Sequence, residues 1–210
     1  MNKIKSEIIM YSKMLNSKKL SALRSGNISI RYKNGFFITP SGKKYTSLKN
    51  SDIVFVKLDG TFNKKKGIPS SEWKFHQDIY LSKKQANAIV HAHSTNATAV
   101  STHKKGIPAF HYMVAMAGGN DIKCAKYATF GTRALSKNII TALKNRNACL
   151  ISNHGQIAFE ENISKAFELA EEVENISLQY ITSLKLGKPK ILSLNEMKKV
   201  LSKAKNYKKG

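Results

Sequence analysis

Acidic residues are scarce in this sequence: 13 Asp and Glu stand against 36 Lys and Arg, a formal net charge of +23. An excess of that size is common in chains that bind nucleic acid or an anionic surface. The lysines, however, fall in scattered pairs and one triple, such as Lys43-Lys44, Lys64-Lys65-Lys66 and Lys104-Lys105, with no stripe, arginine-rich arm or interleaved aromatics. That distribution fits a solvated, lysine-biased surface rather than a specific nucleic-acid footprint, and it leaves room for small phosphorylated substrates. Cysteine is nearly missing. Cys124 and Cys149 are the whole complement, without a C-x-x-C, which argues against a disulfide framework or a thiolate zinc site and for a reducing, cytoplasmic setting. Apolar runs fall far short of the ~20 residues that span a bilayer. The opening "MNKIKSEIIMYSKML" has neither an unbroken apolar stretch nor a small-residue cleavage site, so no membrane span or signal peptide is expected. Repeats and Pro- or Ser-rich linkers are lacking too. The 210 residues, 41% hydrophobic, are therefore expected to form one domain over residues 1–210.

What is present mixes two periodicities. Ile4, Ile8, Tyr11 and Leu15 recur at helical spacing and predict an amphipathic helix over residues 3–20. "ISIRYKNGFFIT" holds two β-rich runs around Lys33-Asn34-Gly35, where Asn-Gly supplies the positive φ angles of a hairpin turn. "DIVFVKLDGTF" repeats the pattern around Asp59-Gly60. Helices are predicted in "EWKFHQDIYLSK", over residues 96–102 and 134–144, in "ISKAFELAEEVENISLQYITSL" and in "NEMKKVLSKAK"; strands in "AIVHAH", "ACLIS" and after "NHG". Hairpins and strands mixed with helices predict an α/β fold, a three-layer α/β/α sandwich with a central, mainly antiparallel (mixed) sheet.

The chemistry-bearing residues begin with His91 and His93 in "AIVHAH". Alternate strand residues share a face, so the two imidazoles either converge on one metal ion or hydrogen-bond at a strand end. A third histidine, His154 in "ISNHG", follows another apolar run and precedes Gly155, whose freedom at positive φ suits a sharp turn. Three imidazoles without a thiolate suit zinc or another borderline divalent metal and leave a position open for catalysis. Proton removal beside a carbonyl then needs a base. Glu72 in "PSSEWKFH" is the candidate, read as standing in the first turn of a helix just after Ser70-Ser71; the plainer reading is a helix-capping glutamate. His76 lies four residues on, but no second histidine completes H-E-x-x-H, which argues against a zincin protease. Two loops, "RSGNIS" with Gly26 and Asn27 and "TPSGKKY" with Ser41, Gly42 and nearby lysines, offer the small residues and hydroxyls that let backbone amides approach a phosphate.

Taken in order and spacing, "SGNIS", "TPSG", "SSE…H", "HAH" and "NHG" resemble the class II aldolase and adducin family across essentially the whole chain. "IPAFHYMVAMAGGN", "KYATFGTRALS" and "ALKNRNACLISNHG" are similar in particular to its fuculose-phosphate aldolase members. The resemblance implies zinc held by His91, His93 and His154, with Glu72 as a further ligand that swings off to act as base. It implies phosphate binding by Gly26, Asn27, Ser41, Gly42, Ser70 and Ser71. It also implies a homotetramer with sites between subunits, in which Tyr112 of "HYM" reaches the adjoining site and handles the proton on the aldehyde oxygen. Tyr207 in "AKNYKKG" matches a mobile aromatic that covers such sites. The implied reaction is reversible cleavage of a ketose 1-phosphate to dihydroxyacetone phosphate and a small aldehyde. Alternatives are a pentulose-phosphate 4-epimerase on the same zinc site, a non-catalytic adducin-like assembly module, and a charge-driven nucleic-acid binder. One departure stands out: the family's usual Gly-Thr ahead of "GN" is replaced in "SALRSGN", so Arg24 adds a cation to the phosphate loop or reshapes it.

Overall fold

A computed structural model of the chain describes residues 1–207, with side chains described through residue 204. Its centre is one seven-stranded sheet. The strands are β1 (Asn27–Tyr32), β2 (Gly35–Ile38), β3 (Val54–Lys57), β4 (Ala88–Ala92), β5 (Cys124–Ala125), β6 (Ala148–Ile151) and β7 (Gly155–Glu160). They lie in the order β3-β2-β1-β4-β7-β6-β5. Every pairing is antiparallel except that of β5 with β6, so the sheet is mixed as expected.

Side-chain alternation divides the core into two layers. On one face, α1 (Asn2–Ser17), α3 (Thr95–Thr102) and α5 (Ile163–Lys185) cover Ile28, Val90, Leu150 and Ala158. On the other, α2 (Trp73–Ser82) and α4 (Arg133–Ala142) cover Phe36, Ile89, Ile157 and Phe159. The result is the three-layer sandwich predicted from the element pattern. All five residues of β4 are buried, because this central strand has neighbours on both edges and helices on both faces. Ala88, Val90 and Ala92 pack toward α1, α3 and α5, whereas Ile89 packs toward α2 and α4. His91 therefore emerges on the α2 side, with its ring edge-on to Phe75 at 5.3 Å. The last helix, α6 (Leu194–Tyr207), packs Met197 against Ala109 and Ala115, beside the short 3-10 turn at Tyr112–Ala117.

Two glycines work differently from their sequence reading. In the first hairpin the positive φ falls on Lys33 rather than on Asn34 and Gly35, and Gly35 is already a strand residue opposite Tyr32. Glycine is needed there because a Cβ would collide with the Val56 carbonyl oxygen of β3. In the turn before β7 the positive φ belongs to Asn153, at 53°, not to Gly155. A Cβ on Gly155 would strike the Ala92 carbonyl oxygen and sit 3.2 Å from His93 Cδ2. Both positions answer to the close approach of a neighbouring strand, a constraint invisible in the local sequence. The turn at Asp59-Gly60 does follow expectation, with φ of 88° at Gly60 and the Asp59 carboxylate accepting from the Thr61 amide at 2.8 Å.

Candidate active site

The sheet brings its chemistry together at one end of β4. Asn27 of β1 pairs with His91 of β4, and His91 pairs in turn with Ile157 of β7, which puts the β6–β7 turn and its His154 beside the histidines of β4. His91 and His93 do share a face, with Nε2 atoms 2.9 Å apart. Glu72 reaches the same point from α2. Its Oε2 lies 3.2 Å from His91 Nε2, and its Oε1 lies 3.3 Å from His154 Nε2. Ligand atoms of Glu72, His91, His93 and His154 all lie within 4.8 Å of one another.

Glu72 is at the N-cap of α2, not in its first turn, and its side chain caps nothing. The carboxylate is turned away from the helix amides toward the imidazoles. Burial pushes this carboxyl up, but the His91 and His154 imidazoles and the Asn27 amide outweigh it and hold it down at about 2. Burial, reinforced by the nearby His91, pushes the imidazoles of His93 and His154 down to about 3 and about 4. Near neutral pH Glu72 is therefore a carboxylate and His93 and His154 are neutral imidazoles, the protonation states that a metal requires. His91 Nδ1 donates to the Gln156 carbonyl at 2.8 Å, which directs its Nε2 lone pair into the cluster. Glu72 Oε1 is buried with no hydrogen-bond partner. Tetrahedral zinc with ligands at about 2.1 Å separates them by about 3.4 Å, close to the spacings of 2.9, 3.2 and 3.3 Å found here. The donor set fits zinc.

Behind the carboxylate runs a buried chain of hydrogen bonds whose direction can be read from its end. Carboxylate Oε2 of Glu72 can only accept, so Asn27 Nδ2 donates to it at 3.0 Å. Asn27 Oδ1 must then accept from His76 Nε2, at 2.5 Å. His76 Nδ1 is left to accept from the Ser29 hydroxyl at 2.7 Å, and Ser29 Oγ accepts from the Tyr80 hydroxyl at 2.8 Å. Burial pushes the His76 imidazole down to about 3, so the ring stays neutral. His76 is thus not a ligand on a metal-binding helix. It orients Asn27, and through it Glu72. The sequence did carry a signal for this chain: Asn27 and Ser29 alternate with the apolar Ile28 and Ile30 and place polar groups on one face of β1, opposite His76 and Tyr80 on α2.

Above the cluster opens a cavity of about 420 Å³. Glu72, His93 and His154 contribute to its floor, and Gly26, Asn27, Ser41, Gly42, Ser70 and Ser71 all line it. Three loops distant in sequence are thereby brought around one space. Lys43 and Lys44 do not line it, and Lys43 is held by Asp52 at 2.5 Å. Arg24 does line it, as do the exposed aromatics Tyr127 and Phe130. Neither aromatic belongs to an apolar period, and no local pattern marks them as cavity residues. Lys74 of α2 donates to the Gly131 carbonyl at 2.8 Å and holds their loop in position. Tyr112 is 54% exposed and lies outside the cavity of its own chain. Tyr207 ends α6, but its side chain lies outside the described residues.

Comparison with known proteins agrees with this geometry. The family model described as "Class II Aldolase and Adducin N-terminal domain" matches residues 6–181. An L-fuculose phosphate aldolase of Escherichia coli (strain K12) is 47% identical over 207 residues, 98% of this chain and 96% of the relative. A 5-methylthioribulose-1-phosphate/5-deoxyribulose-1-phosphate aldolase of Rhodospirillum rubrum is 45% identical over 183 residues, 87% of this chain and 82% of the relative. Among solved structures, an L-fuculose 1-phosphate aldolase superposes with a TM-score of 0.93 at 38% identity, covering 97% of this chain and 96% of that one.

Proposed function

The chain belongs to the class II aldolase and adducin family, and from that premise we propose that it is a zinc-dependent aldolase working as one domain. It reversibly cleaves a ketose 1-phosphate, L-fuculose 1-phosphate or a near analogue, to dihydroxyacetone phosphate and a small aldehyde such as L-lactaldehyde. The observation that carries this reading is the convergence of one carboxylate and three imidazoles beneath a cavity walled by small residues and hydroxyls. His91, His93 and His154 would hold zinc, with Glu72 as a fourth ligand. When bound, the metal supplies Lewis-acid polarisation of the substrate carbonyl.

The remaining work falls to the chain's own side chains. Glu72 exchanges the proton on the hydroxymethyl carbon of dihydroxyacetone phosphate, and the Asn27 amide steadies its Oε2. Gly26, Asn27, Ser41, Gly42, Ser70 and Ser71 surround the phosphate with amides and hydroxyls. Ser70 belongs to the backbone that leads into α2, so the phosphate and the base are referred to the same element. In a homotetramer with sites between subunits, Tyr112 acts in the site of an adjoining subunit, taking or returning the proton on the aldehyde oxygen; it is exposed and outside its own cavity, which leaves it free for that role. No helix among the described residues is long and apolar enough to cross a membrane, and we assign the enzyme to the cytoplasm.

The test is a cleavage assay on zinc-loaded protein with L-fuculose 1-phosphate, 5-deoxyribulose 1-phosphate and L-ribulose 5-phosphate in parallel, each beside a chelated control. Chelator-sensitive release of dihydroxyacetone phosphate from either 1-phosphate is expected. Conversion of the third to its 4-epimer without cleavage of the others would overturn the reaction and keep the metal site. The Glu72→Gln variant is expected to retain zinc on the three imidazoles and to lose proton exchange on dihydroxyacetone phosphate. Unchanged exchange would remove Glu72 from the role of base.

A further inference from the structure

We propose that Arg24 is the cation that binds the substrate phosphate, exchanging its present acceptor, the Gly42 carbonyl, for phosphate oxygens as substrate enters. The inference rests on the sugar-phosphate reading above and adds to it the residue that supplies the charge. Among the described residues that line the cavity, Arg24 is the only permanent cation. The neighbouring candidate has been withdrawn, since Lys43 is paired with Asp52. The other phosphate-facing groups are amides and hydroxyls, which donate hydrogen bonds but bring no net charge. With the Glu72 carboxylate and the imidazoles turned toward the metal cluster, a phosphate held away from the floor has Arg24 as the formal charge facing it at the rim.

Arg24 is placed and free to do this. It is exposed, on the connection between α1 and β1, and its Nη1 donates to the Gly42 carbonyl at 3.0 Å. That bond links the Gly26–Asn27 loop to the Ser41–Gly42 loop, which is itself paired with the segment leading to Ser70 and Ser71. No carboxylate among the described residues pairs with its guanidinium, and a guanidinium carries five donors in a planar fork suited to two phosphate oxygens. The space over Gly42 is open, with nothing within 4 Å of where a Cβ would stand. The carboxylate on the cavity, Glu72, is buried, accepts from Asn27 and is turned toward His91 and His154. Arg24 at the rim and Glu72 at the floor give the cavity a polarity that orients the substrate, with the phosphate outward and the reacting carbon inward.

The experiment is calorimetric titration of inorganic phosphate into the zinc-loaded full chain, for the wild type, Arg24→Ala and Arg24→Lys. The alanine variant is expected to bind phosphate about tenfold more weakly, and the lysine variant to recover part of the loss, since it keeps the charge without the fork. In turnover of the cleaved ketose 1-phosphate, KM should rise by a similar factor while kcat stays within about twofold. Because Arg24 is exposed, both variants should unfold at the wild-type temperature. Wild-type affinity for phosphate in Arg24→Ala would overturn the role of Arg24 and leave the sugar-phosphate reading standing. A wild-type protein that holds zinc yet binds no phosphate would overturn both.

Discussion

At Glu72, burial and charge pull in opposite directions, and the surrounding residues decide the outcome. A carboxyl left alone at this depth would favour its neutral form. The imidazoles in front and the Asn27 amide behind keep it ionised. The chain from Tyr80 through Ser29, His76 and Asn27 is aligned so that every member donates toward the carboxylate. Ser29 is its vulnerable link, because one hydroxyl serves two buried groups. Ser29→Ala should destabilise the fold by about 2 kcal/mol, since the Tyr80 hydroxyl and His76 Nδ1 both lose their partner. Adding Tyr80→Phe should cost less in that background than in the wild type, because the orphaned donor is removed with it. Urea denaturation of the two single variants and the double variant checks the sign of the coupling.

Among the elements, β4 and β7 carry the site, and the closeness of their pairing fixes the geometry of the imidazoles. Gly155 lets the start of β7 lie against the Ala92 carbonyl, next to His93. Gly155→Ala should push β7 away from β4, lowering both the unfolding temperature and zinc affinity, the latter by at least about tenfold. Gly35→Ala is the matched comparison. It crowds β3 through the Val56 carbonyl, far along the sheet from the cluster, and should lower the unfolding temperature while leaving zinc affinity unchanged. Zinc titration and thermal unfolding of the two variants separate the effects. Equal loss of zinc in both would mean that sheet stability at large, rather than the β4–β7 contact, governs the site.

For the whole molecule, scarcity of acid makes each carboxylate count. Asp78 is paired with Arg133, Asp121 with Arg146, and Glu174 accepts from the Asn96 and Ala97 amides at the start of α3. Few acidic groups remain to balance the lysines, so the surface is cationic by default. The buried histidines add a dependence on pH. His76, His93 and His154 hold folded-state values of about 3, 3 and 4 against an ordinary 6.5. As pH falls below 6.5 the unfolded chain takes up protons that the folded chain refuses, so stability falls. Glu72, at about 2 against an ordinary 4.5, acts in the same direction below pH 4.5. His76 alone should cost about 1.4 kcal/mol per pH unit below 6.5. The chelated protein should therefore show a lower urea midpoint at pH 5 than at pH 7.5, and His76→Phe should flatten the slope.

The sequence by itself determined the class of fold and the identity of the cluster. Periodicity marked the helices and strands, because alternation and 3.6-residue spacing are local properties of the chain. The H-x-H spacing likewise forced His91 and His93 onto one face, whatever else the chain did. Tertiary structure alone decided which distant pieces meet. The hydrogen-bonded use of His76, the withdrawal of Lys43 to Asp52, the approach of Arg24 to the cavity and the close-packing role of Gly35 and Gly155 depend on strands and loops remote in sequence. Local patterns constrain what each segment can become; the contacts that give a side chain its partner arise only when the sheet closes the distance.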